Sequence, residues 1–278
     1  MGRAARSVSK VFPEGQEEPL LGGDVTEGLV RVGDTVRRPA SAVSDAVEVV
    51  LRHLETVGFD GAPRYLGRDA RGRDVLSFVD GEVAERPWPA WVADEDRLRS
   101  LARLLRGYHD AVTPLGPPEP VLALPQPAPS GLPDRIAGEP ELVGHRDVTP
   151  ENVVFRDGLA VALIDFDLLG PVTRVEELAN LLLWWGPWMP EADREPALRD
   201  ADPARRARIA IDAYGLPDAD RARLVSVSVN LAERSWHLMR WRAEHLGGGC
   251  ARMWQDGVGD RIARRRAWLE QRGDALLG

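Results

Sequence analysis

Lysine is almost missing from this chain: Lys and Arg together number 36, yet Lys10 is the single lysine. Any basic role further along must fall to arginine, whose planar fork grips oxyanions in a two-pronged geometry that a point-charge ammonium does not share. Cysteine is as scarce. Cys250 stands alone, which excludes an internal disulfide and any cysteine-built metal cage and agrees with a reducing compartment. No uninterrupted apolar run approaches the roughly 18 residues of a membrane-spanning helix, and the stretch from Met1 to Lys10 lacks the apolar core of a secretory leader. A cytoplasmic protein that stays off the membrane is therefore expected. Positive charge is also in deficit, with a formal net charge of −8. That argues against nucleic acid or an anionic membrane as the main partner and is compatible with a cationic small molecule. Nothing calls for an obligate protein partner.

What is present suffices for a sizeable core: 278 residues, 44% of them hydrophobic, suit one large or two modest domains. The most informative segment is His145-Arg146-Asp147-Val148-Thr149-Pro150-Glu151-Asn152, followed by an apolar run that ends in Ile164-Asp165-Phe166-Asp167. Between the two lies a short β-type stretch, Asn152 to Phe155, then a turn signal at Asp157-Gly158, then a second apolar stretch from Leu159 to Ile164. This pattern predicts a hairpin. A hairpin returns the chain to its start, so Asp165 comes back beside Asn152 and the loop that carries Asp147. Hard cations such as Mg²⁺ take carboxylate, amide and phosphate oxygens, which Asn152 and Asp165 can offer as metal ligands alongside a nucleotide. Asp147 is then the group placed to accept a proton from an attacking hydroxyl.

These motifs resemble those of the aminoglycoside phosphotransferase and choline kinase group, small-molecule kinases that share the protein-kinase-like fold. The segment 145–152 is similar to that group's catalytic loop, and Leu163-Ile164-Asp165-Phe166-Asp167 resembles its metal-binding segment more than the Asp-Phe-Gly of protein kinases. No Ala-Pro-Glu follows, and the interval between Asp167 and the helical run from Val175 is too short for a peptide-docking activation loop. The resemblance implies an α+β, two-lobed fold, with residues 1–80 as a nucleotide-binding N-lobe and residues 81–278 as a largely helical C-lobe. It implies transfer of the γ-phosphoryl group of ATP, with Mg²⁺, to a hydroxyl of a small molecule. Cationic aminoglycoside-like antibiotics and metabolites such as choline, a sugar or an amino alcohol are the acceptor classes, and a catalytically silent binding or immunity protein is the rival reading.

The N-terminal third is read in that light. Gly22-Gly23 precedes a strand and is either a plain turn or a phosphate-approaching loop. The strand after the Gly33-Asp34 turn would carry the phosphate-binding lysine of the kinase fold, and none is there. Strand alternation puts Val36 and Arg38 on one face and Thr35 and Arg37 on the other. By the family pattern Val36 and Arg38 face the nucleotide, with Arg37, expected to be an exposed charge, as the fallback. Val43, Ala46, Val47, Val50, Leu51, Leu54 and Val57 recur at helical spacing and stop at Gly58. Glu48 on that helix is a candidate partner for Arg38, competing with an i,i+4 pair to Arg52. By resemblance Ser77-Phe78-Val79-Asp80 joins the lobes, with backbone groups of Ser77 and Val79 meeting adenine.

In the C-lobe a second amphipathic helix is expected over 95–111, ending in His109-Asp110, which reads as structural. Glu177 stands where the family usually places an aspartate that braces the catalytic loop. Nine tryptophans, three of them between Trp184 and Trp188, read mainly as packing residues, although aromatic walls also suit sugars and cations. Asp167 either assists the metal or shapes the loop.

Overall fold

The computed structural model describes residue 12 and residues 15–20, 28–125 and 128–277. Gly22 and Gly23 lie outside the described residues. The N-terminal part is an antiparallel sheet of five strands in the order β1-β2-β3-β5-β4. Its strands are β1 (Glu18–Pro19), β2 (Val30–Val32), β3 (Thr35–Arg38), β4 (Tyr65–Arg68) and β5 (Asp74–Ser77). Between β3 and β4 runs α1 (Ser44–Thr56), whose Ala46, Val47, Val50, Leu51 and Leu54 form the buried stripe that its spacing predicts. Gly58, at φ +76°, lets the chain leave the helix in a conformation that a Cβ would penalise. Asp74, 1% exposed, accepts the Ser44 hydroxyl from α1, the Tyr65 hydroxyl at 2.9 Å and Arg68 Nε at 3.1 Å. One buried carboxylate thus fixes helix and sheet together.

The C-terminal part is mainly helical: α2 (Glu95–Val112), α3 (Glu119–Leu122), α4 (Arg174–Trp184), α5 (Pro203–Tyr214), α6 (Asp218–Arg221), α7 (Leu224–His245), α8 (Gly248–Gln255) and α9 (Val258–Leu277). Interleaved with α3 and α4 are two small antiparallel pairs. One joins β6 (Leu142–Gly144) to β9 (Gly170–Val172), the other β7 (Val153–Arg156) to β8 (Leu159–Leu163). The second is the expected hairpin. Its turn residues Asp157 and Gly158 both have positive φ, +51° and +78°, the conformation a tight two-residue connection needs to match strand twist. Trp185 and Trp188 are at most 1% exposed and Trp88 is 6% exposed, so these three serve the core. Among the described residues no helix is long and apolar enough to cross a membrane.

Candidate active site

The loop carrying Asp147 is held by a single helix face. Glu177 and Asn180 lie one turn apart on α4, and both reach the loop backbone. Glu177 Oε2 accepts the N–H of His145 at 2.9 Å and Oε1 accepts that of Arg146 at 2.8 Å, while Asn180 Oδ1 accepts the N–H of Val148 at 2.9 Å. Trp185 closes the same stretch by donating its indole N–H to the Val148 carbonyl at 3.0 Å. The helix is fixed in turn by a capping box between Thr173 and Glu176. Burial raises the cost of charging Glu177, but the contact with His109 and the N–H groups of His145 and Arg146 hold its pKa below the usual range. Glu177 therefore braces the loop as a carboxylate.

His109 reaches that brace from behind. Its Nε2 lies 3.5 Å from Glu177 and its Nδ1 is 2.6 Å from the Tyr214 hydroxyl, with the ring wholly buried. It joins α2, α4 and α5, which fits the structural role read from the sequence.

His145 links the two halves of the motif. Its Nε2 is 2.8 Å from the Ile164 carbonyl, and its Nδ1 accepts the Asp147 N–H at 3.3 Å. That pair of contacts assigns the neutral tautomer with the proton on Nε2, and burial lowers its pKa accordingly. The ring also rests edge-on against Phe166 at 4.7 Å. Asp165 follows directly, in the left-handed region at φ 62° and ψ 74°, a conformation a short polar side chain tolerates better than most. The hairpin ladder is continued by Ile164 N–H to the Asn152 carbonyl at 2.9 Å.

Asp147, Asn152 and Asp165 are brought together as expected. Asn152 Nδ2 donates to the Asp147 carboxylate at 2.8 Å and to the Asp147 carbonyl at 3.0 Å. Both amide protons are thereby committed to Asp147, and the amide oxygen is left for another partner. Burial, followed by the charge of Asp165, pushes the Asp147 pKa up to about 6 against the Asn152 hydrogen bond. Burial, followed by the charge of Asp167, pushes Asp165 to about 6 as well, against the attraction of Arg38. Three carboxylates crowd one small region with a shortage of positive charge.

Arg38 enters this region from β3. It is 4% exposed and forms an ion pair with Asp167, while its Nε and Nη2 are buried without a hydrogen-bond partner among the described residues. Strand alternation thus puts Arg38 on the side of the acidic centre, with Val36 half-buried on the same face. Arg37 points the other way, toward the ring of Phe12. Two expectations are corrected here. Arg37 is not an exposed charge but 3% exposed. Glu48 does not pair with Arg38; it receives Arg52 Nε at 2.7 Å on the helix surface, because an i,i+4 partner on the same helix is always within reach whereas Arg38 already has Asp167.

In the connector, Ser77 donates its N–H to the Arg64 carbonyl at 2.9 Å, and its hydroxyl accepts the Arg64 N–H at 2.8 Å. The Ser77 N–H is therefore spent within the sheet and not available to a base. Val79 is half-buried. Asn180, Trp185 and the Arg38–Asp167 pair were missed in the sequence; Asn180 alone left a trace, its three-residue spacing from Glu177 on a predicted helix.

Residues 122–223 match the sequence profile of the phosphotransferase enzyme family. The trifolitoxin immunity protein of Rhizobium leguminosarum bv. trifolii is 34% identical over 220 residues, covering 77% of this chain and 79% of that protein. This chain belongs to the phosphotransferase enzyme family. Among solved structures, a choline/ethanolamine kinase family protein from Mesorhizobium loti superposes with a TM-score of 0.54 at 18% identity, covering 92% of this chain and 93% of that one. The amicoumacin kinase hAmiN, solved with AMP-PNP, Ca²⁺ and amicoumacin, gives a TM-score of 0.58 at 14% identity over 94% of this chain and 90% of that kinase. The two-lobed, protein-kinase-like α+β fold and the kinship with aminoglycoside phosphotransferases and choline kinases are as the motifs implied.

Proposed function

We propose that this protein moves the γ-phosphoryl group of ATP to a hydroxyl of a small molecule. The observation that carries the reading is the joint placement of Asp147, Asn152 and Asp165 opposite a buried Arg38 with two uncommitted donors. The donor set suits Mg²⁺: the Asn152 amide oxygen and the Asp165 carboxylate are hard oxygen ligands, and Mg²⁺ ordinarily completes its shell with phosphate and water. Mg²⁺ so bound supplies neutralisation of phosphate charge, and hAmiN, solved with AMP-PNP and Ca²⁺, supports that pairing of nucleotide and cation.

In this reading the acceptor oxygen forms a bond to the γ-phosphorus as the bond to the ADP oxygen breaks, and the hydroxyl proton passes to Asp147. Asn152 holds the Asp147 carboxylate in position by its amide N–H. Nε and Nη2 of Arg38 hold phosphate oxygens by charge-assisted hydrogen bonds, replacing the lysine usual on this strand. A phosphate-binding role for Gly22-Gly23 belongs to the same proposal. The connector at Val79 would meet the base, and Val36 would line its side. Most of the catalytic effect comes from positioning and charge, as is general for phosphoryl transfer. The domain division at residues 80 and 81 and a cytoplasmic location belong to the same proposal.

A second reading is favoured by the 34% identity to an immunity protein and by the missing lysine: a fold that binds a toxin without turning over ATP. Calorimetry with Mg-ATP, followed by measurement of ADP release with a panel of hydroxyl-bearing amines, alcohols and antibiotics, separates the two. Absence of Mg-ATP binding overturns the kinase reading. Binding without release favours the silent protein.

A further inference from the structure

On the face of the N-lobe sheet opposite Arg38, a cavity of about 240 Å³ is floored by Val32 and Arg37. The turn between β4 and β5 forms one wall, and Phe12, Gly15 and Glu17 lie across it. Gly15 is seated closely: a Cβ there would come within 2.8 Å of Val32. Among the described residues, three guanidinium groups, Arg37, Arg71 and Arg73, line the cavity with two carboxylates, Glu17 and Asp69.

The hydrogen bonds show which group is left out. Asp69 Oδ1 accepts the N–H groups of Arg71 at 2.9 Å and Arg73 at 3.0 Å, and its Oδ2 accepts Arg73 Nε at 2.8 Å. Glu17 Oε1 accepts Arg71 Nη1 at 3.0 Å and Arg73 Nη2 at 2.9 Å. Both carboxylates are engaged by Arg71 and Arg73. Arg37 is 3% exposed, has no ion pair among the described residues, and carries a buried Nη1 with no hydrogen-bond partner. Its contact is the face of the Phe12 ring, 5.0 Å away. A guanidinium does not shed its charge at any ordinary pH, so burying one without a counter-charge is strongly unfavourable.

We propose that this cavity is an anion-binding site, separate from the phosphotransfer centre, in which Arg37 takes the phosphate or carboxylate group of a small molecule. Arg71 and Arg73, paired with Glu17 and Asp69, form its rim, and Phe12 supplies an apolar wall for the body of the ligand. The site lies across the sheet from Arg38, so the two arginines serve different anions.

The test uses the full chain in buffer free of phosphate and carboxylate, with ionic strength held constant. The thermal midpoint is followed as inorganic phosphate is added, and in a second series as acetate is added. Saturation by either should raise the wild-type midpoint by about 2–4 °C. Arg37→Met should start higher than wild type and show no response, whereas Arg38→Ala should retain it. Ala70→Glu, at an exposed position lining the cavity, should also abolish the response, because it tethers a carboxylate where the ligand would sit and leaves the core untouched. A response to phosphate alone marks a phosphate site, and a response to acetate marks a carboxylate site. No response in wild type overturns the proposal, as does one that persists in both Arg37→Met and Ala70→Glu or vanishes in Arg38→Ala.

Discussion

Arg38 and Asp167 form an ion pair that joins strand β3 to the segment just beyond Asp165. The pair puts a guanidinium against the acidic centre, where its attraction on Asp165 is outweighed by burial and the charge of Asp167. Asp147 and Asp165 therefore keep raised pKa values even with Arg38 in place.

Replacing Arg38 should do two kinds of damage. Arg38→Ala removes contacts to phosphate worth roughly 1.5–3 kcal/mol, so kcat/KM for ATP should fall by about one to two decades. It also removes the ion pair with Asp167, which should lower the thermal midpoint. Arg38→Lys should recover part of the activity, since an ammonium restores charge without the two-pronged grip. Parallel kinetics and melting curves of both variants check this, and an Arg38→Ala enzyme with wild-type kcat/KM removes Arg38 from the nucleotide site.

Asp147→Asn should reduce kcat by roughly two to four decades, the usual contribution of a positioned base, while Mg-ATP affinity stays within a few-fold. The amide cannot take the hydroxyl proton but still occupies the same volume beside Asn152. Calorimetry of nucleotide binding together with turnover measurements reads both quantities. Substantial turnover in this variant rules out Asp147 as the base.

The acidic centre should make the metal-free protein pH-sensitive in a defined direction. Asp165 titrates near 6 in the folded protein against about 3.9 in an unfolded chain. A raised pKa means that the folded state holds its proton more tightly than the unfolded state, so stability is lost as pH rises from about 4 to about 6 and the penalty is complete above that. Asp165→Asn removes a penalty on the order of 2 kcal/mol. In EDTA the variant should melt several degrees above wild type at pH 8 and alongside it at pH 4. The opposite order at pH 8 contradicts the shift.

Glu177→Ala should be severe although the residue never meets a substrate. It strands the buried N–H of His145, at about 1–3 kcal/mol, together with the part-buried N–H of Arg146, and frees the loop that carries Asp147. Urea unfolding should show a loss of about 2–4 kcal/mol, and kcat should fall while KM for ATP changes little. Glu177→Asp, with a shorter arm, should lie between the two.

Some of this was decided locally and was legible in the chain. The turn at Asp157-Gly158, the strand period on either side and the helical period of α1 depend on neighbours in sequence, so the hairpin and the meeting of Asp147, Asn152 and Asp165 could be read without coordinates. Alternation likewise separated Arg38 from Arg37, because successive side chains on a strand must point to opposite faces. What faces those side chains is another matter. Periodicity gives direction but not the element that packs opposite, so Asp167 as the partner of Arg38, Arg52 as that of Glu48, and the cover over Arg37 were decided only by the tertiary structure. Glu177 as the brace was implied by the family resemblance, whereas the rest of its clamp, with Asn180, Trp185 and His109, belongs to the same class. It joins helices α2 and α4 to a loop between short strands, and only burial of their shared apolar faces brings those pieces within hydrogen-bonding distance.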